Sequence, residues 1–149
     1  MEKDVFITIN TIQRCEGQPP DRINFTAPAK MSRSEDGTYT FEYDESDILG
    51  LEGVTTCLSV KDDVADLRRT GPARIHLRFN PNKRFLTNYE LPYGAVMMGV
   101  STSSVLNRLE SDGILIVCYK MDIQSRPFSK NRLELRVLNG GNEGGLQNV

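Results

Sequence analysis

The chain has no tryptophan, one histidine and three cysteines in 149 residues, and no apolar run near the ~20 residues of a membrane-spanning helix. Each scarcity removes a class of chemistry. Cys15, Cys57 and Cys118 are odd in number and far apart. They make neither a disulfide framework nor a zinc-ligand spacing, so no metal is expected. Each falls in a strand-like segment, where a free cysteine is expected to act as a small buried hydrophobe. The lone histidine, His76, alternates with Arg74 and Arg78 on the side opposite its strand's apolar residues. It is therefore expected on the exposed surface, and Ser/His or Cys/His catalysis would need it to face inward. No Gly-rich loop opens a helix to cradle phosphate, and nothing marks a cofactor.

Charge of one sign is also missing. Eighteen Lys and Arg stand against twenty Asp and Glu, a formal net charge of −2. That lowers the expectation of a nucleic-acid partner. The start, MEKDVFITIN, has neither the basic opening nor the apolar core of a signal peptide, so a cytoplasmic location is expected. The length fits one domain able to bury a core without disulfides or metal.

What the sequence has in abundance is period two. Val5, Ile7 and Ile9 alternate with Phe6, Thr8 and Asn10. Ile23, Phe25, Ala27, Ala29 and Met31 do the same around Pro28, which has no N–H for a ladder and so marks an edge, bulge or bend. Tyr39, Phe41 and Tyr43 share a face after a type I′-capable turn at Glu35-Asp36-Gly37. Further runs cover Val54–Val60, Val64–Arg69, Ala73–Phe79, Phe85–Leu91, Ala95–Leu109, Ile114–Ile123 and about Arg132–Leu138. Asp63–Arg69 and Ser104–Leu109 could each form a helical turn, but the turn spacing favours hairpins.

About ten strands joined by short turns, with under a tenth helix, predict an all-β fold. Short connections favour an up-and-down meander, and closure of its edges predicts a closed antiparallel barrel of 8–10 strands over residues 1–138. The Gly/Asn/Gln-rich segment 139–149 is expected to be a disordered tail.

The stretch Gly37–Gly71 resembles the YwiB-like proteins, small bacterial β-barrels of lipocalin-like (calycin) architecture. The resemblance rests on Tyr43-Asp44-Glu45, Gly50–Gly53, Thr55-Thr56 and Arg69-Thr70-Gly71. It continues through Tyr89-Glu90-Leu91-Pro92-Tyr93-Gly94 and Val100-Ser101-Thr102, and covers about Val5 to Leu138. Leu91, where Thr is expected, and the Pro-rich Gln18-Pro19-Pro20 depart from the pattern. The resemblance implies the barrel fold and no established activity.

Parity places Glu45 with Tyr39, Phe41 and Tyr43, and Arg69 with Ala65 and Leu67. If these faces point inward, a carboxylate and a guanidinium meet inside the barrel, because a lone buried charge costs several kcal/mol. Tyr43, Tyr89, Tyr93 and Thr102 would supply further hydrogen bonds. The pair is then either a structural plug in a filled barrel, which would make the protein a structural or protein-interaction domain acting as a homodimer or with another partner, or the anchor for a small apolar or amphipathic anion, with Arg69 meeting the head group. A third, weaker reading is an enzyme resting on Glu45 and a tyrosine. Ala95–Val100 and Ile114–Tyr119 have no polar face, so their outer sides are expected to be covered either by the chain itself or by a second copy in a homodimer.

Overall fold

The computed structural model describes residues 2–45 and 52–138. Its strands are β1 (Glu2–Arg14), β2 (Asp21–Arg33), β3 (Tyr39–Asp44), β4 (Thr55–Lys61) and β5 (Val64–Thr70). They continue with β6 (Ile75–Phe79), β7 (Phe85–Leu91), β8 (Gly94–Arg108), β9 (Ile114–Ile123) and β10 (Arg126–Leu138). A single turn of helix, α1 (Leu109–Asp112), links β8 to β9.

All ten described strands lie in one sheet, in the order β6-β5-β4-β3-β2-β1-β10-β9-β8-β7. Sequence neighbours pair antiparallel, and β1 pairs β10 from Phe6↔Leu138 to Arg14↔Lys130. The meander therefore closes through the two ends of the described chain. Its remaining seam lies between β6 and β7, where among the described residues the backbone pairing is one bridge, Arg74↔Glu90, just before β6, made of two backbone hydrogen bonds of 2.7 Å. The result is a nearly closed all-β barrel, as the alternation predicts.

The segment 104–108 extends β8, as the turn spacing favours, and a bulge between Thr102 and Ser104 shifts its parity. That shift lets Val100 and Val105, five positions apart, both face the core. Other local expectations need revision or refinement. The last strand begins at Arg126, not near Arg132, because a tight hairpin at Gln124-Ser125 puts both residues at positive φ (52° and 66°). This is the signature of a type I′ turn, without the Gly or Asn that would reveal it. At Glu35-Asp36-Gly37, by contrast, Gly37 alone has positive φ, so that turn is not type I′. Pro28 lies in the part of β2 that pairs β1 but not β3, whose contact with β2 begins only at Lys30. On the β3 side its missing N–H therefore leaves no ladder bond unmade.

The three cysteines are half-buried and free. Cys57 and Cys118 sit opposite Arg68 and Arg132 on the outward side rather than in the core. His76 faces outward as expected, but it is not simply exposed. Its Nε2 lies 2.7 Å from Asp66 Oδ1, which also accepts from Arg78 Nε at 2.9 Å, and its ring meets Phe85 edge-on.

The barrel has two unlike ends. One is packed with Ile7, Phe41, Leu58, Val60, Phe79, Val100, Leu115, Val117 and Leu135, and is plugged by Leu109. Gly113 stops α1 in the left-handed region, its N–H bonded to Leu109 O. The other end is open. The tail at 139–149, and the part of the Gly50–Gly53 loop within 46–51, lie outside the described residues.

Candidate functional site

The open end holds a cup of about 460 Å³. Leu67, Ile75, Leu77, Val96, Met98 and Leu133 supply its apolar wall, and Tyr43, Glu45, Arg69, Tyr89 and Tyr119 supply polar atoms. The polar residues converge because of ladder register. Tyr43 lies directly opposite Thr56, and Thr56 opposite Arg69, so one level of the wall carries Tyr43, Thr56, Arg69 and Ile75 side by side. Glu45 follows two residues after Tyr43 on the same face, its N–H bonded to Val54 O at 3.0 Å.

Arg69 and Glu45 form the pair that parity predicts. Arg69 Nη2 and Nε donate to Glu45 Oε1 at 3.0 and 3.2 Å, and the Thr56 hydroxyl donates to the same oxygen. The side chains are only 16% and 8% exposed. Arg69 Nη1 lies 3.4 Å from the Tyr89 hydroxyl. Burial works against the Arg69 charge, but the Glu45 carboxylate and the nearby tyrosines outweigh it and hold the guanidinium above its ordinary pKa. Burial, reinforced by the Glu45 charge, pushes the Tyr43 phenol well up. Burial pushes Tyr119 up to about 12, against a smaller downward pull from Arg69. Tyr43 and Tyr119 are therefore neutral hydroxyls at ordinary pH, able to donate or accept hydrogen bonds.

Two expected members are elsewhere. Tyr93 is 86% exposed at the tip of the β7–β8 hairpin, outside the barrel. Leu91 pairs with Gly94, so Pro92-Tyr93 form the turn itself and the ring projects from it. Thr102 is interior, as expected, but lies below the cup and joins no bond to Arg69 or Glu45. Its buried Oγ1 has no partner among the described residues. Two polar residues of the site were missed. Thr56 is the polar position in the otherwise apolar series Val54, Leu58, Val60, and Tyr119 shares parity with Leu115 and Val117. Among the described residues no cluster of His, Cys, Asp and Glu could hold a metal ion.

An antiparallel meander closed around an apolar cup with a buried ion pair in its wall defines a small calycin-like β-barrel. The chain belongs to the family described as "Domain of unknown function (DUF1934)", matched over residues 7–135. Its fold is similar to that of the ywiB protein from Bacillus subtilis, with a TM-score of 0.71 and 16% identity over 92% of this chain and 93% of that one. The YwiB-like resemblance of the sequence thus extends to the whole fold. No curated protein matches the chain. No helix among the described residues is long and apolar enough to cross a membrane.

Proposed function

We propose that the protein is a non-enzymatic binder of a small amphipathic molecule held in the open end of the barrel. The observation that carries this reading is the cup of about 460 Å³, inside the ~300–1,000 Å³ typical of small-molecule sites, with an apolar wall and a few convergent polar groups. A filled barrel would leave no such space. The ligand's apolar body lies against Leu67, Ile75, Leu77, Met98 and Leu133, and its head group meets Arg69 Nη1 and the hydroxyls of Tyr89 and Tyr119. Glu45 already takes Arg69 Nε and Nη2, so hydrogen bonds hold a carboxylate head more than net charge does.

The test is titration of the protein with a fluorescent fatty acid. Wild type should bind saturably, Arg69→Met should lose the affinity, and Arg74→Met, outside the cup, should keep it. Absence of saturable binding by wild type would leave Arg69 and Glu45 as a structural plug. A second reading, a homodimer through residues 95–100 and 114–119, draws support from Leu86, Met97 and Leu106, which are 59%, 48% and 45% exposed on the outer side of β7 and β8.

A further inference from the structure

Beyond the cup, a second concavity of about 740 Å³ runs over the outer side of the barrel near its mouth. Arg14 on β1 lies directly opposite Lys130 on β10, and Lys130 directly opposite Lys120 on β9. All three line the groove and all three are exposed. Among the described residues none has a carboxylate partner within 4.0 Å. Of the acids in the groove, Asp122 is taken by Arg84 at 2.7 Å, while Glu16 makes no ion pair among the described residues. Elsewhere on β10 the pattern differs, since Arg132 and Arg136 bracket Glu134 at 3.1 and 2.8 Å. Like charges directly opposite on adjacent strands are destabilising, so this row carries a cost that a bound anion would offset.

We propose that the groove is a second binding site, for a small phosphorylated molecule carrying two or more linked phosphates and an apolar portion. The cations stand on three neighbouring strands and span about 10 Å, two strand spacings, which suits a chain of phosphates better than a single one. Two of the three are lysines, whose ammonium groups act as point charges able to meet phosphate oxygens. The apolar portion is met by Pro127 and by Phe128, which is 40% exposed at the β10 bulge. The groove shares Met121 and Phe128 with the rim of the cup, but its cation row, Arg14, Lys120 and Lys130, lies outside it.

Calorimetric titration with inorganic pyrophosphate, and separately with ADP, tests this, against sodium chloride of matched ionic strength. Wild type should bind one equivalent of each, with ADP the tighter. Lys120→Gln/Lys130→Gln should bind roughly tenfold or more weakly, as expected when charge-assisted contacts are lost. Its melting temperature in low salt should equal or exceed that of wild type, because repulsion is relieved and the fold is intact. Phe128→Ser should remove the advantage of ADP. Arg69→Met should leave pyrophosphate binding unchanged, which separates this site from the cup. No saturable heat beyond the sodium chloride control, or equal binding by the double lysine variant, would overturn the proposal. So would binding of a single-stranded oligonucleotide that pyrophosphate cannot displace, which would assign the row to a polynucleotide.

Discussion

Breaking the Arg69–Glu45 pair from one side should cost far more than removing it whole. Arg69 Nη2 and Glu45 Oε1 are 3.0 Å apart, and both side chains are more than four-fifths buried. At an effective dielectric near 20, unit charges ~4 Å apart attract by about 4 kcal/mol. Arg69→Met leaves the Glu45 carboxylate with the Thr56 hydroxyl as its side-chain hydrogen-bond donor among the described residues. Glu45→Leu leaves the guanidinium with Tyr89 at 3.4 Å and also strips Thr56 of its acceptor. Each single change should therefore cost roughly 3–5 kcal/mol, the usual loss when a buried charge is orphaned. The double variant replaces both groups by apolar side chains and should fall short of the summed losses by about 2–3 kcal/mol. Urea denaturation followed by far-UV circular dichroism measures all four corners of the cycle. If a single variant does not fold, Glu45→Gln, which keeps an acceptor for Thr56, replaces Glu45→Leu. Additivity within about 0.5 kcal/mol would refute the pairing as an energetic unit.

Alkaline stability should report the buried tyrosines. Tyr119 is held up to about 12 and Tyr43 is also raised, so above pH 10 the unfolded chain loses protons that the native chain keeps, and stability falls as pH rises toward 12. Each tyrosine contributes about 1.4 kcal/mol per pH unit in that window, and Tyr119→Phe should flatten the slope in denaturant melts at pH 9 to 11.5. Gly71 has φ +105°, and a Cβ there would collide with the backbone carbonyl of Gly53, so Gly71→Ala should cost roughly 3 kcal/mol or more by thermal melt. At Gly99 the added methyl meets the flexible tip of Arg84 and the Asp122 carboxylate, so Gly99→Ala should be much milder, and an equal loss at both positions would contradict the geometry. If β8 and β9 meet a second copy, wild type should sediment as a dimer at micromolar concentration and Met97→Glu as a monomer. A monomeric wild type removes the homodimer reading.

Much of the site could be read because a strand's alternation carries positional information across the sheet. Glu45 and Arg69 are polar exceptions on apolar faces, and an inward-facing charge requires a partner, so their meeting followed from parity and electrostatics. Thr56 carried the same signal in its own strand. Tyr93 was misplaced because it sits at a hairpin tip, where alternation stops and the turn decides the side chain's direction. The boundary at Arg126 was missed because the type I′ turn falls on Gln124-Ser125, residues that seldom adopt positive φ and so give no mark in composition. The apolar segments 95–100 and 114–119 suggested cover on both faces. In the fold Met97 stands in solvent, while Gly99 is roofed by the Arg84–Asp122 ion pair, a partner brought from 38 residues apart.

By itself the sequence determined what is local or periodic: the strand class, the meander implied by short turns, the inward face of the strands that alternate cleanly, and the family. These follow from the two-residue repeat of an extended chain and from the cost of exposing apolar faces or orphaning charges. Only the tertiary structure decided what depends on register between strands. It set the closure of β1 on β10, the seam at β6 and β7, and the packing that fills one end while leaving a cup at the other. It also aligned Arg14, Lys130 and Lys120, each unremarkable in its own strand, into one row. The closure and the row both need the pairing of β1 with β10, which joins residues more than a hundred positions apart, such as Arg14 and Lys130, and no local pattern encodes it.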